Sequence, residues 1–407
     1  MFLKNRSNSQ MSFFVSIGAG VNQIPLIREA KRRGFHVIGV DTNPMAPGFM
    51  YSDLKIQESI MDHDEIYKKL SEMLFDGTIS GIMSRSYGEA IRTTAYLSER
   101  FNIPFIPFSM TDCFINKRLM KNTLLAANIP TPDVVSLPTG ARLTRPGRDF
   151  FPVIRKPVQG HAKIGVKLIT NIKQLKESIP SQAEKKDFIF EKYIEGDEII
   201  VAGIVHHGRF HVVDITDKTT TQLPYFVDLK HVSPSKYYNL SEMIASIGQS
   251  VARAFSIVNS PVIMEFIVDN TGNLHLIEAA PEFGGEFLAD VAIPLRTGYN
   301  FIGEAIKANT GLNFRPPSGK KNRNAVVVRY ITDSEGTLQS FNPEGPKNIR
   351  GVVFSRIFKE IGAAIKTPTN NLDRIGVVIT KARTPAEADD IAERAVESFQ
   401  VRIRKQS

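Results

Sequence analysis

Along its first hundred residues the chain alternates short apolar runs with segments whose apolar positions recur every three or four residues. In order these are "FFVSIGAG", "IPLIREAKRRG", "HVIGVDTNP", "GIMSRS", "EAIRTTAYLSERFN" and "IPFI". A continuous apolar run bounded by turn residues suits a strand buried on both faces, and the helical period between runs suits an amphipathic helix. Strands alternating with helices imply a parallel sheet with crossover helices, so residues 12–110 are expected to form a Rossmann-like domain. Residues 1–11 are largely polar and are expected to be a disordered tail, while "SFFVSIGAGV" is too broken by glycine to be the apolar core of a secretion signal.

The texture changes after a helix written in "INKRLMKNTLLAANIP", which the proline-dense "PTPDVV" stops. From about 150 to 300 the runs are strand-like: "FPVIRKPV", "KLIT", "DFIFEKYI", "EIIVAGIVHHGRFHVVDIT", "VIMEFIVD" and "LHLIEAAPE", with "LSEMIASIGQSVARAFSI" as the main helix. "VDNTGNLHLIE" joins two alternating runs through a Gly-containing turn and predicts a hairpin. A second domain with antiparallel sheets is expected over residues 111–314, with a small lid subdomain at about 135–195. The Pro/Gly/Lys-rich "RPPSGKKNRN" then leads into a small α+β domain over 315–407, where Thr384, Pro385 and Glu387 are spaced as an N-cap, a first helical residue and a capping box. The fold class is α/β and α+β multidomain.

Composition removes whole classes of function. With 407 residues and roughly 150 per domain, two to three domains and a sizeable core are expected. No window approaches the ~18 unbroken apolar residues of a membrane span, so no membrane is expected. Lys and Arg outnumber Asp and Glu by 51 to 42, a balance that favours anionic ligands. Without a basic block interleaved with aromatics, a phosphate-bearing small molecule is favoured over nucleic acid. The single cysteine, Cys113, excludes an intramolecular disulfide and a cysteine metal cluster, and fits a reducing, cytoplasmic setting.

Candidate chemistry is dispersed. "GAGVNQ" begins like a dinucleotide loop, with Asp41 where a ribose-binding acid would sit, but Gln23 stands at the third glycine position. An anion or substrate site at that helix start is the better reading. No GxxxxGK[ST] phosphate loop occurs; instead Lys156 ends a strand and "QGHAKIG" follows, able to cover phosphates through Lys163 and amides near Gly160 and Gly165. Lys117 and Lys121 share a helix face, and Glu198 is placed to accept from hydroxyls. Glu265 and Glu278 lie one on each strand of the predicted hairpin, where two hard oxygen donors would suit Mg²⁺ completed by phosphates.

Taken in order, "GAGVNQIPLIREAKRRGFHVIGVDTNP", "NKRLMKNTLLAANIPTP", "FPVIRKPVQGHAKIGV", "FEKYIEGDEI", "VIMEFIVD" and "LIEAAPEFGG" resemble the ATP-grasp superfamily of carboxylate-amine ligases. The tail "NLDRIGVVITKARTPAEADDIAERA" is similar to the C-terminal domain of its biotin-carboxylase-like and L-amino-acid-ligase members. The resemblance implies that Lys117 and Lys156 contact ATP phosphates under a mobile loop over residues 160–165, that Glu191, Lys192 and Ile194 surround the adenine, and that Glu198 meets the ribose. It implies one or two Mg²⁺ ions, for which Mn²⁺ can substitute, on Glu265 and Glu278. Small-molecule carboxylate and amine substrates follow, and relatives that form dimers leave a homodimer open.

The implied reaction makes an acylphosphate that an amine converts to an amide, with a carboxylase, a formate-using ligase or an impaired nucleotide-binding protein as alternatives. Two departures follow Glu278, where the superfamily reads x-Asn-Pro-Arg: Ala280 removes a metal-binding carbonyl and Glu282 reverses a charge. Glu282 or Glu286 is then a replacement metal ligand or a partner for a cationic amine. Lys156, Arg296 and Arg329 are the expected catalytic cations, and Arg85 and Glu89 are further substrate candidates, since an arginine can clamp a carboxylate through two parallel hydrogen bonds.

Overall fold

The computed structural model describes residues 11–73, 77–135, 150–178, 188–285, 287–318 and 324–405. The expected tail up to residue 10, much of the expected lid and Glu286 lie outside the described residues.

Three N-terminal runs form the strands expected of them, β1 (Met11–Ile17), β2 (His36–Asp41) and β4 (Gly77–Met83), whereas β3 (Leu54–Gln57) comes from a stretch not read as a strand and "IPFI" forms none. They pair in parallel in the order β3-β2-β1-β4, with α1 (Ile24–Arg32), α2 (His63–Met73) and α3 (Glu89–Arg100) as crossovers. Phe14, Val15 and Ile17 are fully buried, as a strand covered on both faces requires. The strand starts at Met11, a residue assigned from the sequence to the tail.

The helix after this domain is interrupted. α4 (Asp112–Ile115) ends at Asn116, whose extended backbone and side-chain oxygen, accepting from the amides of Arg118 and Leu119, start α5 (Lys117–Ala126) afresh. Lys117 is thereby fixed in the first turn of α5. Beyond it, β5 (Val153–Pro157), β6 (Lys167–Ile169) and β7 (Phe188–Lys192) form a small antiparallel sheet in the order β6-β5-β7. With α6 (Ile172–Glu177) it encloses its own core of Val153, Ile169, Leu175 and Phe190.

The large sheet is built from β8 (Gly196–His206), β9 (Arg209–Thr220), β10 (Asp228–Ser233), β11 (Ser260–Asp269) and β12 (Leu274–Ala280). The long run around "HHGRF" splits at His207 and Gly208, both at positive φ, into the antiparallel pair β8 and β9. Next come β13 (Ala325–Ile331), β14 (Gly336–Ser340), β15 (Val352–Ile357), β16 (Ala364–Ile365), β17 (Gly376–Ala382) and β18 (Arg402–Arg404). Three of these extend the same sheet, in the order β12-β11-β8-β9-β10-β13-β17-β15, while β14, β16 and β18 form a separate three-stranded sheet.

The expected boundary at residues 314 and 315 therefore separates segments that share one sheet. β13 pairs with β10, Arg329 opposite Lys230, and covers an edge that would otherwise expose unpaired backbone groups.

The helices lie against these sheets: α7 (Ser241–Ala254), α8 (Ile293–Thr297), α9 (Phe301–Thr310) and α10 (Pro385–Ser398). Thr384 caps α10 by accepting from the Glu387 amide, but the Glu387 carboxylate takes the Arg383 amide, so the expected capping box is only half formed. α9 joins the two halves of the molecule, because Asn309 Oδ1 accepts the Ile82 amide at 3.0 Å and Asn300 donates to Glu29 at 2.7 Å. One continuous core, from Phe14 and Leu26 through Ile302 to Val326 and Ile379, joins the N-terminal domain, α8 and α9 to the large sheet, while α7 and α10 pack on cores of their own. Among the described residues no helix is long and apolar enough to cross a membrane.

Candidate active site

A cleft of about 1090 Å³ opens between the N-terminal domain, the small sheet and the large sheet. β11 and β12 form its floor. Their register sets Glu265 opposite Glu278, with an irregularity just after Glu265, so the hairpin brings the two carboxylates together as its sequence pattern implied.

The floor is balanced by lysines. Lys218 on β9 has no exposed side-chain surface and reaches Glu265 at 2.9 Å, Glu198 at 3.0 Å and Asp228 at 3.2 Å. Burial works against its ammonium, yet Asp228, Glu198 and Glu265 together hold its pKa well above that of an ordinary lysine. In return Glu265 stays well below the usual carboxylate range despite burial, through Lys218 and Lys163. Lys163, in the loop that follows β5, lies 3.5 Å from both Glu198 and Glu265.

That loop is shaped by positive φ at Gly160, Ala162, Lys163 and Gly165. Two contacts hold its near end: Lys117 donates to the Gly160 carbonyl at 3.0 Å, and the Asn371 amide, between β16 and β17, donates to the Ala162 carbonyl at 3.0 Å. Lys117 also lies 3.6 Å from Glu278.

A second charged group stands at the small-sheet end. Lys156 donates to Glu191 at 2.5 Å and Lys121 lies 3.3 Å from the other carboxylate oxygen. Glu191 and Lys121 are each only 2% exposed, so Lys121 belongs to the interior and not to a solvated face. Burial lowers Lys121 to about 8 against the attraction of Glu191. Burial opposes the Glu191 charge too, but Lys156 and Lys121 keep it below its ordinary value.

At the N-terminal wall, Glu282 lines the cleft and makes no hydrogen bond or ion pair among the described residues. Burial, with Glu278 and Glu265 nearby, pushes its carboxyl up to about 7 against the pull of Arg85. Arg85 is 5% exposed at its side chain and meets Asp290 at 3.2 Å through Nη2, while its Nε and Nη1 are buried without hydrogen-bond partners. Gln23 fixes the Arg85 backbone, accepting its amide at 2.9 Å.

Other expected residues divide sharply. Gly160, Lys192, Ile194 and Glu198 line the cleft with Glu89 and Ala280, whereas Gly165 stands behind the loop, its carbonyl accepting from Arg155 at 3.2 Å. Arg296 and Arg329 are not brought to the cleft. Buried Arg296 faces Asp214 at 3.6 Å, and Arg329 is held by Asp389 at 2.8 Å and Glu393 at 3.0 Å on α10. Both guanidiniums face the protein's own carboxylates and not the cleft. Asp41 accepts the amides of Ala19 and Asn43, so it ties the "GAGVNQ" loop in place.

Lys218 and Asp228 were missed from the sequence. The available signal was alternation along β9, which sets Asp214, Thr216 and Lys218 on one face.

The carboxylates suit a divalent ion of the Mg²⁺ kind. Among the described residues no group of three or more His, Cys, Asp or Glu side chains forms a complete metal cage. Two carboxylates in cross-strand register, with coordination completed by phosphates and water, are what Mg²⁺ takes in phosphoryl-transfer sites.

Residues 149–290 match the ATP-grasp domain family, and residues 329–404 match L-amino acid ligase C-terminal domain 2. A Sinorhizobium fredii protein described as uncharacterized protein y4rH is 26% identical over 327 residues, which are 75% of this chain and 65% of that protein's length. The D-alanine--D-alanine ligase of Francisella tularensis is 25% identical over 222 residues, 53% of this chain and 72% of that one. The crystal structure of an L-amino acid ligase from Bacillus licheniformis has a TM-score of 0.77 at 20% identity, covering 98% of this chain and 99% of that chain. At that identity the likeness establishes the fold.

Proposed function

Since the chain is a member of the ATP-grasp superfamily, with an ATP-grasp domain followed by an L-amino acid ligase C-terminal domain, we propose that it is an ATP-dependent ligase joining a carboxylate to an amine. The observation that carries this reading is the pairing of Glu265 with Glu278 on the floor of a cleft ringed by lysines. Such a floor suits transfer of a highly charged phosphoryl group, where positioning and charge stabilisation do most of the work.

In this reading a substrate carboxylate oxygen takes the γ-phosphoryl group of ATP, ADP leaves, and an acylphosphate results. The nitrogen of an amino acid or similar amine then bonds to the acyl carbon, the carbon-oxygen bond to phosphate breaks, and the surplus amine proton leaves to solvent. Lys117 and Lys156 meet the phosphates, Lys163 with its loop covers them, and water is kept from the acylphosphate. Glu191, Lys192 and Ile194 border the adenine and Glu198 the ribose. Glu265 and Glu278 would hold Mg²⁺, or Mn²⁺ in its place, which supplies neutralisation of phosphate charge when bound. Lys218 acts through Glu265 and Glu198, keeping both ionised.

Phosphate release measured with ATP, Mg²⁺ and a panel of amino acids, singly and in pairs, tests the proposal. Release that depends on an amino acid and yields an amide supports it. ATP binding with no release for any acceptor overturns it.

A further inference from the structure

The loop after β5 takes a backbone path that disfavours two of its own residues. Ala162 and Lys163 stand at φ of 55° and 62°, a left-handed conformation that costs a residue with a side chain and persists only where the surroundings impose it. Inside the loop the Ile164 amide donates to His161 at 3.2 Å and the Val166 amide to Lys163 at 3.1 Å. From outside, Lys117 and Arg155 hold the carbonyls of Gly160 and Gly165 at its two ends. Its middle is held by Asn371, whose backbone amide donates to the Ala162 carbonyl at 3.0 Å.

Asn371 belongs to the C-terminal segment and opens a single 3-10 turn, Asn371–Asp373. That turn is fastened independently of the loop. Asp373 accepts the amides of Thr369 at 2.9 Å and Asn370 at 3.1 Å, and Asn370 accepts the Leu372 amide at 2.9 Å. Arg374 donates to the Asn371 carbonyl at 2.8 Å and lies 3.8 Å over the Tyr330 ring of β13.

The Asn371 side chain reaches a second part of the site. Its Oδ1 accepts the Asp228 amide at 2.9 Å and its Nδ2 donates to Asp228 Oδ2 at 2.7 Å, while Asp228 Oδ1 meets Lys218 at 3.2 Å. Attaching the C-terminal segment to the sheet does not need this residue, because β13 already pairs with β10. What Asn371 adds is a contact with the loop that sets Lys163 at 3.5 Å from Glu198 and Glu265.

Resting on the reading of residues 160–165 as the cover of the ATP phosphates, we infer that Asn371 is a positioning residue. The C-terminal turn is the fixed stop on which the loop closes, and the bond from the Asn371 amide to Ala162 keeps a nucleotide enclosed. Opening the loop breaks that bond. Its loss therefore raises the open fraction and speeds nucleotide escape.

The test compares two substitutions in the full chain. Asn371→Ala keeps the amide and loses the side-chain bonds to Asp228, whereas Asn371→Pro loses the amide as well. Proline suits this first position of the turn, and the extended Asn370 before it, at φ −155° and ψ 170°, suits a residue preceding proline. Hydrogen exchange of the Ile164 and Val166 amides follows the loop, and stopped-flow release of a fluorescent non-hydrolysable ATP analogue with Mg²⁺ follows the nucleotide. Both should be roughly two- to tenfold faster in Asn371→Pro than in Asn371→Ala, the worth of one hydrogen bond.

Amides of β11 and β12 are the internal reference, since a general loss of stability quickens them too. Thermal unfolding close to that of Asn371→Ala is the folding control. Asp373→Ala, which loosens the turn carrying the amide, replaces a proline variant that fails it and should shift both rates the same way. The inference is overturned if loop exchange or nucleotide release matches that of Asn371→Ala, or if the reference amides quicken equally. The expected differences without phosphate release for any amino acid would sink the ligase reading alone. Amide-forming turnover with equal nucleotide release in the two variants would sink the inference alone, and a wild type that binds no ATP analogue would sink both.

Discussion

The Lys218 ammonium lies 2.9 Å from Glu265 Oε2, with none of its side chain exposed, and it also serves Glu198 and Asp228. Three carboxylates thus share one buried cation, with Lys163 a second partner of Glu198 and Glu265 at 3.5 Å. Lys218→Met should cost about 3–5 kcal/mol, because removing one partner of a buried ion pair strands the other.

The pH dependence has a definite sign. Glu198 and Glu265 are held below the ordinary value of 4.5, so their contribution is present above that value and is lost as pH falls through their folded values. The gap between wild type and Lys218→Met should therefore narrow as pH falls below 4.5. Chemical unfolding followed by circular dichroism at several pH values checks both points, and a gap under about 1 kcal/mol would show that the cluster is not ionised in this way.

Glu278→Ala tests the metal role. The substitution leaves Glu265 to its two lysines and removes the cross-strand donor. Turnover should fall on the order of 10² or more, a loss comparable to removing one group that stabilises transition-state charge. Mn²⁺ affinity should fall with it. Undiminished phosphate release or undiminished Mn²⁺ binding would remove Glu278 from the metal site.

Lys156 has a divided allegiance. It donates to Glu191 at 2.5 Å, and the sequence resemblance implies a phosphate contact. If both hold, Lys156→Met loses a charge-assisted contact of roughly 1.5–3 kcal/mol to nucleotide, or about 10- to 100-fold in affinity. Lys121 remains beside Glu191 at 3.3 Å, so the buried carboxylate keeps a cation. Titration calorimetry with a non-hydrolysable ATP analogue decides the matter: an unchanged affinity would mean that Lys156 is committed to Glu191 alone.

The sequence discloses the cleft floor better than its support. Glu265 and Glu278 could be placed because alternation on two runs and a Gly-containing turn nearly determine a hairpin, and a hairpin determines which residues face each other. Lys218 could not, since "DITDKTT" alternates polar residues that on one strand in isolation suit solvent equally well. Only partners distant in sequence, Glu198, Asp228 and Glu265 around Lys218, mark that face as an inward one.

Arg296 and Arg329 fail for a different reason. An arginine's pattern does not say whose carboxylate it meets, and for Arg329 the carboxylates are Asp389 and Glu393, four apart on one face of α10. The C-terminal strands were likewise visible as strands, but periodicity is silent on which sheet edge receives them.

The remaining prediction concerns Arg296 and its buried partner. Asp214 is 1% exposed and accepts from Ser233 at 2.6 Å, but Arg296 Nε stands 3.6 Å away, and both facing atoms lack a hydrogen bond. Burial outweighs the arginine's attraction and pushes the Asp214 carboxyl from 3.8 up to about 6. The folded state then keeps a proton that the unfolded chain gives up, so this group's contribution is full below about 4 and declines as pH rises through about 6. The whole decline is on the order of 3 kcal/mol. Asp214→Asn is neutral throughout and lacks the slope, so the stability of wild type relative to the variant should fall by about that amount between pH 4 and pH 7. All other titrating groups are common to both proteins and cancel in the difference. Unfolding free energies at four pH values across that range measure it; parallel curves would mean that Asp214 is ionised at every pH and that Arg296 holds it as a full salt bridge.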